Sequence, residues 1–126
     1  MFAKKKTWFV SHPSGSTQHT PTFFTAINEF VAAEENVQII FPHDSEEGVK
    51  LTRDAIDKSD LVLVEVSIPS TGSGIELGWA NAAGKPIIAF HQGGSEPSPA
   101  LKFATQAMYV YVTEDDITKV LRDLIK

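Results

Sequence analysis

At 126 residues, with 42% hydrophobic and 21% charged side chains, the chain has room for one globular domain and too much apolar content to stay disordered. It has no cysteine, which excludes disulfides, thiolate metal sites and a cysteine nucleophile. Eleven Lys and Arg against sixteen Asp and Glu give a net charge of −5, which argues against a broad basic face for a nucleic acid polymer. The cationic run Lys4-Lys5-Lys6 directly precedes a strand-like segment and reads as a solvated flank. No apolar stretch approaches the ~20 residues of a membrane span, and the N-terminus lacks the apolar centre of a signal peptide. A single cytoplasmic domain over residues 1–126, without a membrane partner, is therefore expected.

Apolar runs alternate with amphipathic stretches along the chain. Thr7–Ser11, Val37–Phe41, Asp60–Val66, Pro86–Phe90 and Met108–Val112 are short and rich in Val, Ile and aromatics. Their apolar character is continuous rather than alternating, as in parallel strands covered on both faces. Between the first two, Thr20 precedes Pro21, and Phe23, Ile27, Phe30 and Val31 fall on one helical stripe. Val49–Lys58 is a weaker helical segment. Gly74–Ala83 predicts a helix that stops at Gly84-Lys85-Pro86, a C-terminal glycine and then a breaker. After a Gly/Pro/Ser-rich connection, His91–Pro99, and the fifth strand, Thr113-Glu114-Asp115-Asp116 forms a capping box that opens a last helix. This order predicts an α/β three-layer sandwich around a five-stranded parallel sheet, in the flavodoxin-like order 2-1-3-4-5.

In such a sheet, ligands bind beyond the carboxyl ends of the strands where the strand order reverses, here between strands 1 and 3. The two loops at that place are dense in hydroxyls and glycines: Ser11-His12-Pro13-Ser14-Gly15-Ser16-Thr17 and Ser67-Ile68-Pro69-Ser70-Thr71-Gly72-Ser73-Gly74. Each feeds a helix N-terminus, where unpaired N–H groups and the helix dipole favour an anion such as phosphate. Turn-making and capping account for the same residue types. Glu76 lies beside the second loop. Ser73-Gly74-Ile75-Glu76 matches a capping box, in which the glutamate would bond back to its own helix. A carboxylate facing a bound sugar phosphate could instead attack the anomeric carbon. Gly72, Gly74 and Gly78 miss the spacing of a dinucleotide motif, and His12, His19, His43 and His91 lack metal-ligand spacing. Trp8 is either core or a platform for a base. Glu65, inside an apolar strand, needs a partner or a strand-end pocket.

The segment Glu65–Gly78, E-V-S-I-P-S-T-G-S-G-I-E-L-G, resembles the nucleoside 2-deoxyribosyltransferase-like family, and within it the 2′-deoxynucleoside 5′-monophosphate N-hydrolases. The resemblance implies that Glu76, the glutamate of G-x-E-L-G, is the nucleophile. It also implies a nucleotide or nucleoside substrate, and since a carboxylate and positioning supply such catalysis no cofactor or metal is expected. The transferases carry a carboxylate six residues before that glutamate. Ser70 stands there, as in the hydrolases, where the serine helps to hold a 5′-phosphate. By the same resemblance Ser14, Gly15, Ser16, Gly72 and Gly74 would line the phosphate. Ser98 looks like a serine supplied by the neighbouring subunit of a homodimer with shared active sites. Three positions depart from the family's pattern. Thr52 stands where a catalytic aspartate is usual, leaving Asp54 as the nearest acid; Trp8 replaces a tyrosine; and the first loop lacks an arginine. The implied activity is cleavage of the N-glycosidic bond of nucleoside 5′-monophosphates. Base exchange by a transferase and nucleotide binding without turnover are the alternatives.

Overall fold

In a computed structural model, residues 5–11, 19–41 and 48–126 are described, with side chains at 48–51 left aside. The elements run β1 (Lys6–Ser11), α1 (Pro21–Ala33), β2 (Val37–Ile40), α2 (Gly48–Lys58), β3 (Leu61–Glu65), α3 (Thr71–Ala82), β4 (Ile87–Gln92), a 3₁₀ turn η1 (Pro99–Phe103), β5 (Ala107–Tyr111) and α4 (Glu114–Leu124). The strands form one all-parallel sheet in the order β2-β1-β3-β4-β5, as the alternation of segments predicts.

Each strand sends alternate side chains to two separate cores, which is why its sequence reads as an unbroken apolar run. Trp8, Val10, Leu63, Phe90 and Tyr111 pack with Phe23 and Ile27 of α1 and Ile117 and Leu121 of α4. Phe9, Val62, Val64 and Ala89 pack on the other face with Ile56 of α2 and Leu77 and Ala80 of α3. Between β4 and β5 the chain adds to this second face Leu101 of η1 and Ala104 just after it. At the end of α3, Gly84 adopts φ +72°, a left-handed conformation that a Cβ would disfavour. Across it the Lys85 N–H donates to Ala80 O at 2.9 Å. The capping box of α4 forms as its sequence indicates: Thr113 accepts from the Asp116 N–H, and Asp116 accepts from the Thr113 N–H. Among the described residues no helix is long and apolar enough to cross a membrane.

The register pairs Ser11 of β1 with Val64 of β3. The chain leaves β1 toward β2 on one side and returns to β3 on the other, so the carboxyl ends of β1 and β3 flank the topological switch point.

Candidate active site

The loop after β3 ends in a capped helix. Ser70 is extended, at φ −148° and ψ 130°, and its Oγ accepts the Ser73 N–H at 3.3 Å. Its carbonyl takes the Gly74 N–H at 3.0 Å. Helix α3 therefore begins at Thr71, three residues before the expected Gly74. This overturns the capping-box reading of Ser73–Glu76, because Ser73 is already helical and Ser70 does the capping. Glu76 sits in the second turn, past the reach of the free N–H groups.

The Glu76 carboxylate turns instead toward the sheet. Its Oε1 accepts a hydrogen bond from Ser11 Oγ at 2.6 Å. Ser11 is the last residue of β1, fully buried, and its side chain shares the face of Phe9. The bond thus places one oxygen of Glu76 at the end of β1, on the crevice that the strand order creates.

A cavity of about 520 Å³ opens on a different side of α3, between that helix and η1. Ser70, Ser73, Gly74, Leu77 and Asn81 line it from α3, and Ser98 and Phe103 from the η1 side. Glu76 precedes Leu77 by one residue and so lies about 100° around the helix from it. It faces β1, while the cavity faces η1. Ser70 and Gly74 belong to the helix start common to both sides. Ser73 Oγ is buried in this region and has no hydrogen-bond partner among the described residues.

Glu65, the last residue of β3, is completely buried. One carboxylate oxygen accepts the Ser67 N–H and the other accepts the Tyr111 hydroxyl. Burial, followed by the Glu65 carboxylate, pushes the Tyr111 phenol far above its ordinary range, so the hydroxyl stays protonated and donates. Ser67 Oγ in turn accepts the Gln92 N–H at 2.8 Å, and Gln92 Nε2 reaches His19 O at 3.2 Å. Glu65 is therefore both partnered and at a strand end.

Other expected site residues fall elsewhere. Trp8 is not at the strand end: it is 1% exposed and stacks on Phe30, with centroids 6.0 Å apart and planes within 7°. A base cannot reach that ring, so of the two readings of Trp8 the core one holds and the expectation of a platform for a base is corrected. Asp54 is exposed and makes no bond to Glu76. It lies about 200° around α2 from Thr52, whose side chain is buried with Ile56 on the inward stripe. The inward position thus carries a hydroxyl, and the nearest acid points to water; Asp54 is corrected as the assisting acid. Ser98 caps η1 by accepting the Ala100 N–H at 3.3 Å, and it lines the same cavity as Ser70 within one chain. Gly72 is exposed at the start of α3. Ser14, Gly15 and Ser16 lie outside the described residues. The sequence presents Ser11 as one hydroxyl among many, and only the fold singles it out. Tyr111 carries no signal in the sequence beyond an aromatic in an apolar strand.

No family model matches the chain. Over 73 residues it is 34% identical to a curated protein of Syntrophotalea carbinolica named "Putative 2'-deoxynucleoside 5'-phosphate N-hydrolase 1". That match takes in 56% of this chain and spans about half the length of the relative, 51%. The structure superimposes on the CMP N-glycosidase of Clostridium botulinum with a TM-score of 0.70 at 22% identity, covering 93% of this chain and 99% of that one. The chain has the nucleoside 2-deoxyribosyltransferase-like fold. A 2-deoxyribosyltransferase of Bacillus psychrosaccharolyticus shares that fold with a TM-score of 0.65 at 15% identity, over 89% of this chain and 90% of its own.

Proposed function

We propose that this protein is an N-glycosidase of nucleoside 5′-monophosphates, with Glu76 as nucleophile. The observation that carries the reading is the 2.6 Å bond from Ser11 to Glu76, which turns the carboxylate away from its own helix and toward the crevice between β1 and β3. The start of α3, beside Ser70 and Gly74, offers the N–H groups of its first residues, Thr71 and Gly72, and a positive dipole end to a 5′-phosphate beside that crevice. Ser14, Gly15 and Ser16 would complete the phosphate site. The names of the curated N-hydrolase and of the CMP N-glycosidase support the substrate class.

Two displacements at the anomeric carbon account for the chemistry. Glu76 Oε attacks C1′ as the C1′–N bond breaks, and the base leaves with the bonding electron pair and takes a proton from solvent. Water then attacks C1′ of the glycosyl-enzyme and surrenders a proton. The carboxylate is released, leaving free base and sugar 5-phosphate. The bond from Ser11 holds Oε1 in place and so fixes the direction in which the carboxylate meets the sugar. A carboxylate and positioning suffice for this route, without a metal or organic cofactor.

The test is release of free base from a panel of ribo- and deoxyribonucleoside monophosphates, read by chromatography. Glu76→Gln should abolish release while nucleotide binding persists. Equal turnover by that variant would refute the nucleophile. The positions of Trp8 and Asp54 favour a second reading, a nucleotide-binding module without turnover; tight binding by wild type with no base released would select it. Base exchange on unphosphorylated nucleosides would select a transferase, against which Ser70 stands. Pairing into a homodimer is expected from the resemblance and is tested by light scattering, although Ser98 already reaches the Ser70 cavity of its own chain.

A further inference from the structure

The proposed displacement makes no use of Glu65. Its side chain lies on the same face of β3 as Leu63, within an apolar core, where a leucine or valine would fill the space. Among the described residues no cation pairs with it. A buried carboxylate in that setting is costly unless its oxygens are hydrogen-bonded, and here both are, by the Ser67 N–H and the Tyr111 O–H. The chain of bonds continues from Ser67 Oγ to the Gln92 N–H and from Gln92 Nε2 to His19 O. The Gly93 N–H closes back on Tyr111 O at 2.9 Å. This network ties the ends of β3, β4 and β5 to His19, just before α1.

Ser67 is three residues before Ser70, and Pro69 between them restricts the backbone. Whatever fixes the Ser67 N–H therefore also fixes where Ser70 and the start of α3 stand. We propose that Glu65 and Tyr111 are positioning residues: a buried acid–phenol brace that holds the Ser67–Ser70 segment in the shape that receives the 5′-phosphate. This rests on the nucleotide reading above and assigns a task to the edge strand β5, which carries no residue of the reaction itself.

The test compares wild type with Tyr111→Phe, which keeps the ring and removes only the donor, and with Glu65→Gln. Two measurements are made on each: KM and kcat for a nucleoside monophosphate, and amide hydrogen exchange by mass spectrometry. The brace predicts that Tyr111→Phe, still folded by circular dichroism at the assay temperature, raises KM about tenfold with kcat within about twofold. It also predicts that exchange rises about tenfold over Ser67–Gly74 while α1 stays protected as in wild type. Unchanged KM and unchanged exchange in the folded variants would overturn the proposal. So would an exchange increase spread evenly over the molecule, which would mark a purely structural pair. Should wild type cleave no nucleotide, the functional reading fails on its own, and the local exchange difference alone then decides the brace. If Tyr111→Phe does not fold, the double variant Glu65→Gln/Tyr111→Phe, which removes the buried charge together with its donor, takes its place.

Discussion

Removing one oxygen atom, in Ser11→Ala, tests the geometry on which the proposed chemistry depends. Ser11 Oγ is buried and donates at 2.6 Å to a carboxylate that is itself only partly exposed. A hydrogen bond to a charged group contributes about 1.5–3 kcal/mol when both ends are buried, but water can replace the donor at a partly open carboxylate. The stability loss should therefore stay below about 1 kcal/mol, read from the midpoint of urea unfolding. The effect on the reaction should be larger, because the lost bond fixes the direction in which the nucleophile points. If about 1.4 kcal/mol of orientation is forfeited, kcat for base release falls about tenfold. KM should change by less than about twofold, since the phosphate contacts are untouched. Ser11→Thr, which restores a hydroxyl at the same backbone position, should recover part of the rate. A kcat equal to wild type in folded Ser11→Ala would refute the idea that β1 aims the carboxylate. A fall in kcat fully explained by unfolding would refute it equally.

Three further outcomes follow from where residues lie. Trp8→Phe should leave KM within about twofold of wild type, because the ring is stacked in the core; a tenfold rise in KM would return the indole to the substrate. Its stability cost should be small, since the variant loses ring volume but also removes a buried Nε1–H that has no partner among the described residues, and urea unfolding measures the balance. Asp54→Asn should keep kcat within about twofold, and a hundredfold loss would show that this exposed acid does reach the departing base. Hydrogen bonds from the backbone of Thr113 and Val112 hold the Asp116 carboxyl below its ordinary range. Its contribution is therefore present above the unfolded carboxylate value of about 3.9 and fades as pH falls through the lower folded value. Asp116→Asn should flatten the acid loss of helicity in α4, and an unchanged acid profile by circular dichroism would exclude Asp116 as its source.

The sheet order was legible because each strand is apolar on both faces and each intervening segment has one apolar stripe, so the period of the sequence and the layers of the fold agree. The helix start at Ser70 was harder to read. Ser67, Ser70 and Ser73 can each cap, and Gly72 and Gly74 lower helix propensity enough to suggest a later beginning. Packing of Leu77 and Ala80 against the sheet outweighs that local preference. The direction of Glu76 could not be read at all, since its partner is remote in sequence and a capping box fits the same letters. Strand parity decides between the two readings of Trp8. That residue shares the Val10 face, while Ser11, three positions later and on the opposite face, occupies the strand end. Asp54 fails for the analogous reason on a helix, where two positions exchange the inside for the outside.

Parallel neighbours also set a timetable for the molecule's assembly. Strand β1 is made first, yet its partner β3 begins only at Leu61, and the serine and glutamate that meet at the switch point are 65 positions apart. Closing such distant pairs is slow, because chain entropy is lost before the contacts compensate for it. Until the crossover through α2 docks, β1 keeps one side open and the crevice has a single wall. A half-built chain therefore lacks the bond between Ser11 and Glu76: the closure that sets β3 beside β1 must come before the two side chains can meet.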